Sequence, residues 1–410
     1  KALFLTENQN NNNIIQAFMI SSPALAKELK LRWNKIQQNM SDVHADGLLI
    51  CDNVNLYYVS GRIFRGYCYI PVKREPIFFV RRPLGLNGTQ VVYIRKPEEI
   101  GEYLQKNGIA FPDKLLLESD SISYSDYKRY ETIFTPKEIL NGTALLRRCR
   151  SIKTPYEIDL IRRSGELHAK AYETIPSLYR KGMTDVEFSI ELEHECRKLG
   201  SLGIFRIFGQ SMEIFMGSVL AGDNADTPSP YDFAMGGAGL DVSLPVGCNG
   251  TVLTEGMSLM VDMGGNFTGY MTDMTRTYAI GSVQELALKA HETSIAIHQA
   301  IAAKSRPGVA AKDLYELAAE MANDARLSDY FMGHRQKAGF IGHGVGIEIN
   351  EAPVLAPRSR DILAEGMVFA LEPKFVIPGT GALGIENTYA VTADGVEKLT
   401  VCKEELISLQ

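Results

Sequence analysis

Cysteine is scarce and scattered. Cys51, Cys68, Cys149, Cys196, Cys248 and Cys402 form no Cys-x-x-Cys pair in 410 residues. That excludes a disulfide scaffold and a Cys-based zinc site, and fits a reducing compartment, the cytoplasm. Long apolar runs are missing too. None approaches the ~18 residues a membrane span needs, so no membrane partner is expected. The start of the chain has only short apolar patches, Ala2 to Leu5 and Ala17 to Ile20, around an Asn-rich run from Asn8 to Asn13. It lacks the apolar core of a signal peptide. Lys1 rather than Met stands first, which leaves room for a natural start upstream. A basic excess is also lacking: 43 Lys and Arg face 49 Asp and Glu, for a net charge of −6. Sequence-independent phosphate binding runs on surplus Lys and Arg, so nucleic acid is not an expected partner.

What remains is ordinary globular composition, 45% hydrophobic and 22% charged. It excludes a disordered chain, a collagen-like repeat and a coiled coil. The length alone suggests about three domains at ~150 residues each. The pattern along the chain reduces this to two.

The amino-terminal part reads as an α/β unit. Leu25, Leu29, Trp33, Ile36 and Met40 recur at helical spacing. Strand-like runs follow at Gly47–Cys51, Pro76–Val80, Gln90–Ile94 and Lys114–Glu118, with a polar helix from Glu98 to Asn107. Arg81 and Arg82 read as a solvated strand end. A boundary falls near the Asn141-Gly142 turn, where Arg147, Arg148, Arg150 and Lys153 read as a solvated linker helix. Three capping boxes then mark helix starts: Thr154 to Glu157, Thr184 to Glu187, and Ser282 to Glu285.

Two internal echoes organise the rest. The turn Arg180-Lys181-Gly182-Met183 is matched by Arg306-Pro307-Gly308-Val309, each between a longer and a shorter helix. Leu253-Thr254-Glu255-Gly256-Met257 leads through an apolar strand to Asp262, and Leu363-Ala364-Glu365-Gly366-Met367 leads through another to Glu372. Residues 150–410 therefore read as two related halves, each two helices followed by a sheet segment.

The carboxylates carry the chemistry. Asp262 and Glu372 end strands apolar enough to lie in a core, and an unpaired buried carboxylate needs a cation or a proton. Asp273 follows eleven residues after Asp262, a spacing that fits a hairpin; Glu386 follows fourteen after Glu372. Four converging acids would repel strongly without countercharge, so divalent metal is the economical solution. His343, in Gly342-His343-Gly344-Val345-Gly346, offers a nitrogen ligand among glycines that permit close backbone approach. A mixed O/N set suits manganese, cobalt, iron or zinc. Two such ions ~3.5–4 Å apart bridge a water and lower its pKa, which is hydrolytic machinery.

These segments resemble the pita-bread metallopeptidases, the family of Xaa-Pro dipeptidase (prolidase), aminopeptidase P and the methionine aminopeptidases. The likeness is carried by Val261-Asp262-Met263-Gly264-Gly265, Gly269 to Thr277 around Asp273, Gly342 to Gly346, Leu371-Glu372-Pro373, and Ile385-Glu386-Asn387-Thr388. Asn53 to Gly61 resembles the creatinase-type N-domain of the prolidase branch. The resemblance implies an α+β fold: a pita-bread catalytic domain of two related halves, preceded by a smaller α/β domain. The boundaries expected are an extension over 1–24, the N-domain over 25–145 and the catalytic domain over 146–410. It implies two divalent metal ions, manganese foremost. Asp262 would bind one, Asp273 and Glu386 would bridge, and His343 and Glu372 would bind the other. Glu372 would shuttle the proton, with His343 beside it in the catalytic group. Thr275 and Thr388 would orient the carboxylates from behind. The substrate implied is a small Xaa-Pro peptide, and the assembly a homodimer.

The chain departs from the family pattern in three places. No histidine follows Gly222-Asp223-Asn224-Ala225. Asn350 stands where a second family histidine lies, seven after His343. Gly384 stands where an arginine is common, two before Glu386. Asn350 and His334 are the candidate substrate-binding replacements. The departures keep two other readings open: a metal-dependent hydrolase or lyase of a small non-peptide metabolite, and a non-catalytic binding protein on the same fold.

Overall fold

The computed structural model describes residues 22–209, 215–231 and 233–410. The Asn-rich run and nearly all of the extension over 1–24 lie outside them. The chain divides into two compact units, Lys1–Arg150 and Ser151–Gln410.

In the first unit, helix α1 (Pro23–Asp42) starts where Ser22 Oγ accepts from Leu25 N and a proline takes the first helical position. Its buried face is Leu25, Leu29, Trp33, Ile36 and Met40, the set the spacing predicts. Each buried leucine or isoleucine of this kind contributes about 1.5–3 kcal/mol. A six-stranded sheet follows: β1 (Gly47–Ile50), β2 (Arg65–Pro71), β3 (Ile77–Arg82), β4 (Val91–Tyr93), β5 (Lys114–Leu117) and β6 (Glu138–Asn141), in the order β4-β3-β2-β1-β5-β6. β2 and β6 are additional to the four strands read from sequence. β2 begins with Arg65-Gly66, and β6 is a polar edge strand, so neither shows a clean apolar run. Helices α2 (Asn53–Ser60), α3 (Glu98–Lys106) and α4 (Tyr124–Phe134) complete the α/β unit.

Two expectations fail near the boundary. Arg150 and Lys153 are not solvated. Helix α5 (Thr143–Ser151) carries Arg150 into the first unit's interior, where its guanidinium donates to Asn55 Oδ1. Lys153 pairs inside the second unit with Glu351, at 2.8 Å and with both side chains 1% exposed. Composition alone suggested a charged linker; each cation in fact has a buried acceptor far away in sequence.

The second unit has the expected two halves. In the first half, α6 (Pro155–Glu173) and α7 (Asp185–Lys198) open with capping boxes at Thr154 and Thr184. They pack on a four-stranded sheet of β7 (Gly217–Ala221), β8 (Ser258–Asn266), β9 (Met271–Ile280) and β17 (Ile407–Leu409), ordered β17-β9-β8-β7. Tyr172, Phe188, Leu192, Val219, Leu259 and Val261 share this core. In the second half, α8 (Glu285–Lys304) and α9 (Ala311–Asp324) accompany a five-stranded sheet of β10 (Gly342–Gly344), β11 (Glu351–Leu355), β12 (Val368–Leu371), β15 (Asn387–Val391) and β16 (Val396–Lys398). Its order is β11-β10-β12-β15-β16. A separate hairpin, β13 (Lys374–Ile377) with β14 (Gly381–Gly384), packs against α8.

The third capping box does not form. α8 starts one turn later than Ser282, at Glu285, with Gln284 before it and no side-chain cap. The Gln284 amide instead donates to Thr380 Oγ1 at 2.6 Å, in the turn between β13 and β14. Among the described residues no helix is long and apolar enough to cross a membrane.

Candidate metal centre

β8 and β9 form an antiparallel ladder in which Asp262 lies opposite Thr275 and Gly264 opposite Asp273. Side chains alternate faces along a strand, so Asp262, Asp273 and Thr275 project from one face. In the other half, Glu372 and Glu386 stand in matching interruptions. β12 pairs with β15 up to Leu371 opposite Asn387, and β13 pairs with β14 from Lys374 opposite Gly384. Glu372-Pro373 and Ile385-Glu386 fall between. The proline has no N–H to give a ladder, which breaks the strand just after Glu372. α8 satisfies the backbone groups that the break exposes. Ser294 Oγ donates to Pro373 O at 2.6 Å and accepts from Ile385 N at 3.1 Å, and the His298 ring lies 3.0 Å from Ile385 O. Burial pushes the His298 imidazole down to about 3, so it works as a neutral hydrogen-bonding ring.

His343 comes from β10, squeezed between β11 and β12. A Cβ on Gly342 would stand 2.3 Å from Ala370 O, and one on Gly344 would stand 2.2 Å from Ala352 O. Only glycine on both sides lets this strand sit so close. His343 Nε2 reaches to 3.4 Å from Glu372 Oε1 and 3.7 Å from Asp273 Oδ2.

The five side chains thus converge. Asp273, His343 and Glu386 offer ligand atoms within 4.8 Å of one another, as do Asp262, Glu372 and Glu386. Glu386 is held most firmly. Its N–H donates to Thr275 O, Thr275 Oγ1 donates to its Oε2 at 2.8 Å, and Arg276 Nη1 donates to its carbonyl at 2.8 Å. Thr388 acts differently from the expectation. It exchanges hydrogen bonds with the Asp273 main chain, accepting from N at 2.9 Å and donating to O at 2.8 Å. It fixes the strand rather than the carboxylate.

A sixth residue enters the cluster. Lys374 is 0% exposed, and its Nζ lies 2.8 Å from Asp262 Oδ2, 2.8 Å from Glu372 Oε2 and 3.2 Å from Glu386 Oε2. Sequence reading missed it, because a lysine at a strand start usually marks a solvated end. The signal was its parity: two residues past Glu372, and followed by the apolar Phe375-Val376-Ile377. Gly384, opposite Lys374, has φ +130°, and a Cβ there would meet Pro373 O at 2.8 Å and Lys374 Cα at 3.1 Å. The position that resembles an arginine site has no room for a side chain.

The electrostatics follow from the count of charges. Burial pushes the Lys374 ammonium down, but three carboxylates overwhelm that and hold it well above its ordinary value. Burial pushes Glu372 up, while Lys374 and His343 pull it down to about 2. Burial lowers the His343 imidazole, and the Glu372 carboxylate raises it to about 9. Glu386 is driven up to about 8 by burial and then by Glu372. Burial, then the charges of Glu386, Asp262 and Glu372, push Asp273 well above the carboxylate range. The protein's own cations therefore leave negative charge uncompensated around Asp273 and Glu386. Glu386 Oε1 is buried without a hydrogen-bond partner. An orphaned carboxylate oxygen beside an imidazole and a second carboxylate fits a divalent ion.

The two candidate substrate residues each have a partner distant in sequence. Asn350 closes both ends of its amide on Phe208, accepting from N at 2.8 Å and donating to O at 2.7 Å. His334 Nδ1 pairs with Asp226 Oδ2 at 2.9 Å. The Asn350 amide and one His334 ring nitrogen thus tie together segments far apart in sequence.

Thr275→Val is expected to weaken divalent-metal binding by about 10- to 100-fold, since only the hydroxyl that orients Glu386 is lost. Titration of the metal-free protein checks this, and unchanged affinity would contradict the role.

Comparison with known proteins agrees with this geometry. A Xaa-Pro dipeptidase of Pyrococcus furiosus is 26% identical over 385 residues, covering 92% of this chain and all of the relative. An uncharacterized peptidase of Bacillus subtilis, YqhT, is 26% identical over 392 residues, with 92% and 100% covered. The solved Xaa-Pro dipeptidase from Bacillus anthracis shares the fold with a TM-score of 0.76 at 24% identity, over 93% of this chain and 100% of that one. Residues 32–152 match the Creatinase/Prolidase N-terminal domain. Residues 159–393, more than half of the chain and the span that holds all five candidate ligands, match a peptidase family model, so the chain belongs to metallopeptidase family M24.

Proposed function

We propose that the chain hydrolyses Xaa-Pro bonds in small peptides, as a dipeptidase or aminopeptidase, with divalent metal held by Asp262, Asp273, His343, Glu372 and Glu386. The observation that carries the reading is the convergence of these side chains, with Glu386 Oε1 orphaned among them. The two-domain likeness to Xaa-Pro dipeptidases supports the substrate class. A divalent ion supplies Lewis acidity toward the scissile carbonyl and an acidified water. Glu372 is the proton carrier that the family pattern implies, and His343 Nε2, 3.4 Å from its Oε1, and Lys374, 2.8 Å from its Oε2, hold it ionised and in place. Thr275 and Arg276 hold Glu386 in place. Manganese suits the O/N donor set. The homodimer rests on the resemblance alone, and a cytoplasmic setting rests on six free cysteines.

A second reading keeps the metal and changes the substrate to a small non-peptide amide. The closed Gly384 position favours it, because it leaves no room for the side chain that the family pattern carries there. The purified protein, loaded with manganese or cobalt, should cleave Gly-Pro, Ala-Pro or a longer Xaa-Pro peptide and lose that activity on chelation. No turnover of any of the three with metal bound would sink the first reading.

A further inference from the structure

We propose that the Lys374 ammonium permanently fills one of the two cation positions of the five-ligand centre, so that the chain holds a single divalent ion, between Asp273, His343 and Glu386. The inference rests on the metal-dependent reading above and changes its stoichiometry.

The first support is position. Asp262, Glu372 and Glu386 form one of the two ligand groups, and Lys374 Nζ contacts all three, at 2.8, 2.8 and 3.2 Å. An ion bound by this group would have to stand where the ammonium stands.

The second support is enclosure. The Lys374 side chain is 0% exposed, and its main chain is fixed in the β13–β14 ladder opposite Gly384. Leaving the three carboxylates would strand a buried ammonium, which is far costlier than releasing a surface lysine to water. Gly384 belongs to the same arrangement. Any side chain there would press on Pro373 O and Lys374 Cα, so the glycine leaves the lysine backbone undisturbed.

The third support is charge. Four carboxylates carry −4. The ammonium and one dication bring +3, whereas the ammonium and two dications bring +5 with like charges in contact. The other ligand group has the right chemistry for the ion. Glu386 Oε1 is buried without a partner, and Asp273, His343 and Glu386 present donors within 4.8 Å.

The test is a metal count with a spectroscopic readout. The metal-free full chain is dialysed to saturation against Mn2+, and metal per chain is measured by elemental analysis, with electron paramagnetic resonance of the same samples. One ion per chain with an uncoupled, mononuclear spectrum is expected. Lys374→Ala should take up a second ion and show exchange coupling. Lys374→Met, which keeps the stem and removes the charge, serves if the alanine variant does not fold. Two ions in the unmodified protein, none at all, or one ion in every variant would each overturn the proposal. Two ions together with Ala-Pro turnover would overturn it while leaving the peptidase reading intact. One ion without turnover of any Xaa-Pro peptide would do the reverse.

Discussion

Asp273→Ala is expected to lower kcat/KM by at least ~10^3-fold, about 4 kcal/mol of transition-state stabilisation, and to leave the chain without a bound divalent ion. Asp273 belongs to a ligand group in which, among the described residues, Lys374 contacts only Glu386. Its carboxyl is buried and raised by its neighbours' charges, the state of a group whose stabilising cation is supplied from outside. The substitution should spare the fold. Thr388 holds residue 273 through its main chain, and the β8–β9 ladder is unchanged by the side chain. Circular dichroism should therefore match the parent, while elemental analysis and Ala-Pro turnover collapse together. Asp262→Ala makes the contrast. It removes a partner of Lys374 and leaves Asp273, His343 and Glu386 in place, so the ion should remain with a smaller loss of rate. Retained metal and full activity in the Asp273 variant would remove the centre from this site.

Three of the five candidate ligands were legible because each breaks a local rule, and Asp273 and Glu386 followed from their spacing to them. Asp262 is a charge inside an otherwise apolar strand, Glu372 a charge just past the end of another, and His343 stands among glycines that a strand has no other reason to carry. Both anomalies are visible within a few residues. The two-halves architecture was legible for a similar reason, since repeated turns record repeated supersecondary units. What sequence could not supply was the long-range partner. Lys374, Arg150 and Lys153 each look like solvated cations, and each is buried against an acceptor that only the fold brings near. Ser294 and His298 read as helix residues, yet they cap the strand break that carries Glu372 and Glu386. Asn350 and His334 likewise have partners that only the fold supplies, Phe208 for the amide and Asp226 for one ring nitrogen. Residue type foretold which side chains converge where the backbone environment was also anomalous, and missed the long-range partners where it was not.

The same logic makes Lys153→Met the variant with the largest expected effect on stability. Lys153 and Glu351 form a pair at 2.8 Å with both side chains 1% exposed. Glu351 Oε1 also accepts from Glu348 N at 3.3 Å, and a Cβ on Gly346 would stand 2.5 Å from Glu351 Oε2. The carboxylate therefore lies under the glycine-rich turn that leads out of His343. Methionine keeps the stem's volume and removes the charge. It leaves a buried carboxylate short of its cation, a change that costs about 3–5 kcal/mol. For a unit of this size that lowers Tm by on the order of 10 °C. The double variant Lys153→Met, Glu351→Leu removes both charges and should recover part of the loss, because an apolar pair of similar volume pays no desolvation cost. It should not recover all of it, since the hydrogen bond from Glu348 N to Glu351 Oε1 is also lost. Thermal unfolding of the three proteins checks each step. A single variant as stable as the parent, or a double variant less stable than the single, would show that the buried pair does not hold the His343 turn in place.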